Sequence, residues 1–254
     1  MMGSIFSPAR FFYFSLRDFV FNKKNYILLA AITFGITVVI SFFSQYFSSN
    51  IVSADNSNGS FFSTYLFFST LGVAASSFDY YKKNSLMNDA FMLPASFFEK
   101  WLFAFVKTLI LWPIVFIAVV FLGFFIGEFL GSLVFSASFS PFPSFVHSIG
   151  PVFSGDYMLG FISSHAIFFF GAVFFRKNAF FKTLLSIICF FVIFVLWLIL
   201  WAYVFAFSSS MVFDVFSRMY LSWDVIRMIY IFVIVFFWGM SFIRFRELEN
   251  INGF

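Results

Sequence analysis

The sequence predicts an all-α polytopic membrane protein with six transmembrane helices, N-in and C-in, and an N-terminal amphipathic helix lying in the membrane interface. Three observations predict it. The first is composition. Of 254 residues, 62% are hydrophobic and 10% charged, with a mean hydropathy of +1.00, against about 45–50% apolar and about 25% charged in soluble domains. The second is a set of six apolar runs, each long enough as helix to cross a hydrocarbon core about 30 Å thick. The third is the distribution of basic residues. With the N-terminus inside, 13 of the 15 Lys and Arg fall on one side, and only Arg218 and Arg227 on the other. The acidic residues divide 6 to 5, so the bias belongs to the cations, as the positive-inside rule requires.

The same composition excludes an ordinary cytosolic enzyme, a nucleic-acid module and a disordered chain. The net charge of +4 is accounted for by the cytoplasmic cations. A single cysteine, Cys189, inside an apolar run excludes a disulfide framework and a Cys-based zinc site. Phe, at 51 residues, is read as compositional drift and lipid-facing bulk.

Residues 1–25 form the predicted interfacial helix. Ser7 reads as an N-cap and Pro8 as the first helical position. Arg10, Arg17 and Lys24, seven apart, share one face, while Phe12, Leu16 and Phe19 share another. No small-x-small cleavage site follows the first span, so that span is expected to stay in the mature chain. The membrane domain, 26–243, holds spans at about 26–47, 61–78, 101–127, 157–175, 183–207 and 225–243. None alternates as a membrane β-strand does. Residues 244–254 form a short cytoplasmic tail.

The inner loop between spans two and three is the most organised polar segment. Pro94 stops whatever precedes it. Ser96-x-x-Glu99 is a capping box that starts the third helix at Ser96. Residues 84–91 can form a short cytoplasmic helix. In the outer loops, Asn58-Gly59 reads as a turn. Residues 128–156 are expected to include an interfacial or re-entrant piece, and 208–224 a short surface helix ending at Trp223.

Gly123, Gly127 and Gly131 repeat every fourth residue, a pattern that lets two helix backbones approach closely, within the chain or between subunits. Glu128 beside them is expected to be a solvated helix-end carboxylate. Trp112-Pro113 should bend the third span. His165 is the ionisable side chain expected near the bilayer midplane, and such a group is a functional candidate by default. Catalytic patterns are missing: there is no H-E-x-x-H, no G-x-S-x-G and no G-x-x-x-x-G-K-[ST]. The chain is therefore expected not to be an enzyme and to hold no cofactor or metal.

The architecture resembles the permease subunit of ABC-2-type transporters. The run Leu93-Pro94-Ala95-Ser96 with Glu99-Lys100 is similar to the P-x-S…K stretch before the third span of such permeases. The inner run 175–183 is similar to small permease-like proteins of the same kind. The likeness spans nearly the whole chain as architecture and a short stretch as motif. It implies a translocation path built from a homo- or heterodimer of permease subunits in a bacterial cytoplasmic (inner) membrane. It also implies a separate ATP-binding cassette ATPase docking on a coupling loop at 79–99, where Lys82, Lys83, Pro94, Ser96, Glu99 and Lys100 are the candidates. The sparse polar content of the spans implies an apolar or lipid-linked substrate. The rival reading is a non-transporting scaffold or sensor subunit of a larger membrane complex.

Overall fold

The computed structural model describes residues 6–50, 55–78, 95–135, 139, 141–175, 177–206 and 223–252. Lys82, Lys83, Pro94, the expected helix at 84–91 and most of the 208–224 segment lie outside the described residues. Among the described residues, seven helices follow in chain order: α1 (Pro8–Asn50), α2 (Asp55–Ser76), α3 (Phe97–Phe135), α4 (Pro141–Ile149), α5 (Gly155–Phe174), α6 (Ala179–Ala206) and α7 (Trp223–Asn252). No strand occurs among them. Five of the helices, α1, α3, α5, α6 and α7, are long and apolar enough to cross a membrane, which makes this an all-α multi-pass membrane fold.

The expected second span corresponds to α2, whose apolar part, Phe62–Ser76, is shorter than the other five. α2 starts with the polar run 55–60 and then packs against α3, α4, α5 and α6. Phe62 and Leu66 join Trp112, Phe116, Val120, Phe124, Ile149, Val152 and Phe161 in the largest buried cluster. In the outer loop, α4 and the 3₁₀ turn Gly150–Phe153 fold onto α2 and α3.

The boundary expected at residue 25 is not a break. α1 runs uninterrupted for 43 residues, so the amphipathic segment and the first span are one helix. At the other end of the chain, the expected tail continues α7 as helix to Asn252.

Six of these helix ends meet at one end of the bundle. Ser7 and Arg10 reach Glu99. Phe78 packs on Phe245 at 5.0 Å, and Phe97 on Phe242 at 5.5 Å. The Arg246 guanidinium lies 5.9 Å from the Phe97 ring centre, and that of Arg244 lies 5.9 Å from Phe174. The α5–α6 hairpin turns there through Asn178, at φ 52°, a left-handed conformation that asparagine tolerates better than most residues. The opposite end holds Asp156 and Arg227, 3.6 Å apart.

α1 and α3 start at the same end and run parallel. Along α3, every fourth residue from Lys100 to Glu128 is buried: Lys100, Ala104, Thr108, Trp112, Phe116, Val120, Phe124 and Glu128. A spacing of four exceeds 3.6 residues per turn, so this stripe winds round the helix by about 40° per step and meets different neighbours at different heights. Glu128 is 2% exposed. The expectation of a solvated carboxylate is corrected, because α3 continues two turns beyond it to Phe135.

Candidate functional site

Three arrangements hold the polar and small residues of the bundle. The first is the seam between α1 and α3. Here Gly123, Gly127 and Gly131 face Thr37, Ser41 and Gln45, themselves four apart. A Cβ on Gly123 would stand 2.7 Å from the Thr37 Cβ. On Gly127 it would stand 2.6 Å from the Ser41 Cβ and 2.7 Å from the Val38 carbonyl oxygen, and on Gly131 2.9 Å from the Gln45 Cβ. The close approach is thus within the chain. The hydroxyls of Thr33 and Thr37 donate to the Leu29 and Thr33 carbonyls of their own helix, so the seam is held by contact between small groups, as membrane helix pairs commonly are. The stripe Thr33-Thr37-Ser41-Gln45 was absent from the sequence-based candidates. Its signal was there, in polar residues four apart inside an apolar run.

The second arrangement is a node at Glu99, whose side chain is 0% exposed. The capping box forms as expected: Glu99 N–H donates to Ser96 Oγ at 3.2 Å, and Ser96 N–H to Glu99 Oε2 at 2.8 Å. The other carboxylate oxygen accepts from Ser7 N–H at 2.6 Å and Arg10 Nη2 at 3.2 Å. One carboxylate therefore ties the first turn of α3 to the first turn of α1. Lys100, next in sequence, is buried at 1% exposure. Further in along α1, Asp18 accepts from Asn22 Nδ2 at 2.9 Å, Tyr26 Oη at 2.5 Å and Lys107 Nζ at 3.5 Å.

The third arrangement surrounds His165 of α5. At Lys107–Leu111 the backbone of α3 widens into a π-helical turn, and Trp112 N–H reaches back to the Lys107 carbonyl. Pro113 has no N–H to give the Leu109 carbonyl, and the wider turn re-registers the bonds just ahead of it. Thr108 in this turn lies 2.8 Å from His165 Nε2. Its hydroxyl also has the Ala104 carbonyl at 3.0 Å and the Phe105 carbonyl at 3.3 Å within reach, so the Thr108–His165 bond ties α3 to α5 with either tautomer of the imidazole. His165 stacks on Phe169 at 5.5 Å and meets the edges of Phe105 at 6.2 Å and Trp238 of α7 at 6.4 Å. Nδ1 of His165 and Nε1 of Trp238 are buried without a hydrogen-bond partner among the described residues. The described residues contain no group of three His, Cys, Asp or Glu that could hold a metal. Chemically the cluster is a lock joining α3, α5 and α7. Thr108→Val, which leaves His165 Nε2 without its partner, is expected to cost about 1–3 kcal/mol, and adding His165→Phe should recover most of it. Thermal unfolding of the two single variants and the double variant in detergent measures this coupling. Simple additivity would show that the bond has no such role.

Of the sequence-predicted candidates, Ser96 and Glu99 are brought together with each other, with Lys100 beside them. The glycines are brought against α1, and His165 stands apart from both. Searches against known protein families, curated proteins and solved structures find no match.

Proposed function

We propose that the chain is the six-span, N-in and C-in membrane subunit of an ATP-driven transporter of the ABC-2 permease kind, with a separate ATPase docking on the 79–99 loop. The observation that carries this reading is the node at Glu99. The loop leads directly into a side chain that grips α3 through its capping box and α1 through Ser7 and Arg10. A push on that loop reaches two helices at once, and these are the two packed along the glycine seam. Energy has to come from a partner, because the sequence carries no P-loop.

A second reading, a non-transporting scaffold or sensor subunit, is favoured by the aromatic filling of the interior at Phe62, Phe116 and Phe124. Such a core needs no path. One experiment separates the two. The chain is purified in mild detergent from its native membranes and probed for a bound ATP-binding cassette ATPase. The permease reading expects the two to co-purify, and thiols introduced at positions 82 and 177 in a Cys189→Ala background to be labelled from the cytosolic face. It also expects Lys82→Glu with Lys83→Glu to weaken ATPase association about tenfold, the effect of about 1.4 kcal/mol, without loss of membrane insertion. Failure to co-purify with the ATPase removes the permease reading and leaves the scaffold.

A further inference from the structure

Where the sequence predicts a helix lying in the interface, residues 8–25 of α1 instead stand upright beside α3. Their cations are thereby carried inward, and side-chain contacts fix how far. Lys107 of α3 meets Asp18 at 3.5 Å and stands 6.0 Å from the Tyr26 ring centre. Thr108, the next residue, meets His165 at 2.8 Å. His165 is the eleventh of the 20 residues of α5, a helix about 30 Å long that just matches the hydrocarbon core. The stretch of α1 between Asp18 and Tyr26 therefore stands level with the middle of the bundle, about 15 Å from either end of α5.

The outer side of that stretch is polar. Lys23, Lys24 and Asn25 are exposed, and Arg17, on the same face as Lys24, is partly so. Arg17, Lys23 and Lys24 have no carboxylate partner among the described residues. An unpaired charge at this depth is among the costliest groups to set against acyl chains, and the headgroups lie well beyond the reach of a lysine stem. Outward of Lys24 the same face turns apolar and small, at Leu28, Ala31 and Gly35. The exposed rings of Phe12 and Phe19 lie on the other face of the helix. Behind Arg17 and Phe21 is a cavity of about 40 Å³, with Asp18, Asn22 and Lys107 also on its walls, polar enough and wide enough for a water. We propose that this side of α1 faces water, in a crevice that opens at the Glu99 end of the bundle, reaches about halfway through the membrane and stops at Leu28. Water solvates the charges there that lipid could not. The crevice does not rest on the permease reading; its use as an entry for the polar end of a substrate does.

Single cysteines at positions 20, 24, 235 and 240 test it, each in the full-length Cys189→Ala chain in membrane vesicles. A membrane-impermeant maleimide is added on the face at which Lys177→Cys reacts, and rates are normalised to those of the denatured chains. The thiolate is the reactive form, and an apolar surround suppresses it. Val20 is 63% exposed on α1. Val235 and Met240, 65% and 38% exposed on α7, flank Trp238, whose ring meets His165, so they sample lipid at the same depth. Val20→Cys and Lys24→Cys are expected to react at least about tenfold faster than Val235→Cys and Met240→Cys. No reaction at 20 and 24 would mean that lipid or a second protein covers this side of α1, and would overturn the proposal. Equal reaction at all four positions would place the bilayer further along the bundle, with α1 merely standing clear of it, and would overturn it too. Co-purification of an ATPase is read separately, so the permease reading can fail while the crevice stands.

Discussion

Gly127→Ala is expected to lower the melting temperature of the purified protein, and Gly127→Leu to prevent α1 from seating on α3. In a free helix, Gly→Ala is favourable by about 1 kcal/mol. Here the added methyl meets backbone, the Val38 carbonyl at 2.7 Å, as well as the Ser41 Cβ at 2.6 Å. Neither is the far end of a flexible side chain, so the helices must separate, at an overpacking cost of about 1–3 kcal/mol. Leu adds three more carbons to the same spot and leaves no room for the pair. Gly239 supplies the control. It lies in α7, where a methyl in place of its hydrogen would meet nothing within 4 Å, so Gly239→Ala should be neutral or stabilising. The readout is thermal aggregation in detergent, with crosslinking between cysteines placed on the two helices. A Gly127→Ala protein as stable as Gly239→Ala would mean that the seam is looser than these distances imply.

The second large effect is expected at Glu99. In Glu99→Ala the Ser7 and Ser96 N–H groups lose their acceptor and the capping box is gone. A lost cap costs about 0.5–2 kcal/mol, and each stranded donor about 1–3 kcal/mol where it stays dry. The sum is on the order of 3 kcal/mol once water reaches part of the site. Glu99→Gln keeps an oxygen at the same reach and is itself an accepted capping-box residue, so it should lose much less. Arg10→Ala should lose least, because the Arg10 side chain is 37% exposed and its pairing is partly screened. Hydrogen exchange at the amides of residues 8–20 follows the release of the α1 terminus directly. If Arg10→Ala proved as damaging as Glu99→Ala, the node would be a simple ion pair and not a double cap.

These two sites also show what the sequence could reveal. The capping box was readable because all its parts lie within four residues. Its second half, the grip on Ser7 and Arg10, joins positions 92 and 89 apart and left no local trace. The glycines announced a close approach because a residue with no side chain in a lipid-facing run has little other use. Their partner could be found only by matching a second stripe of the same spacing. The buried stripe of α3 was hidden for a different reason. In a soluble helix the outer face is polar and the inner face stands out. Here exposed Ile114, Val115, Leu122 and Phe125 are as apolar as buried Phe116, Val120 and Phe124, so hydrophobic periodicity carries no signal. Glu128 was misplaced because a carboxylate at the end of an apolar run reads as the end of the helix. Pro113 did mark an irregularity, which the helix takes up one turn earlier as the π segment.

The seam between α1 and α3 joins residues far apart in the chain, from Ser7 with Glu99 to Gln45 with Gly131. During synthesis α1 therefore enters the bilayer long before its partner has been made. Until then α2 is the one other described helix made, and it reaches Thr33 through Tyr65, while Thr37, Ser41 and Gln45 still lack the glycine face they pack on. The back-bonds from Thr33 and Thr37 to their own carbonyls make that wait tolerable, since these hydroxyls need no second helix. A nascent chain halted before Gly123 would keep the stripe uncovered, a mark by which membrane quality control could tell an unfinished copy from a finished one.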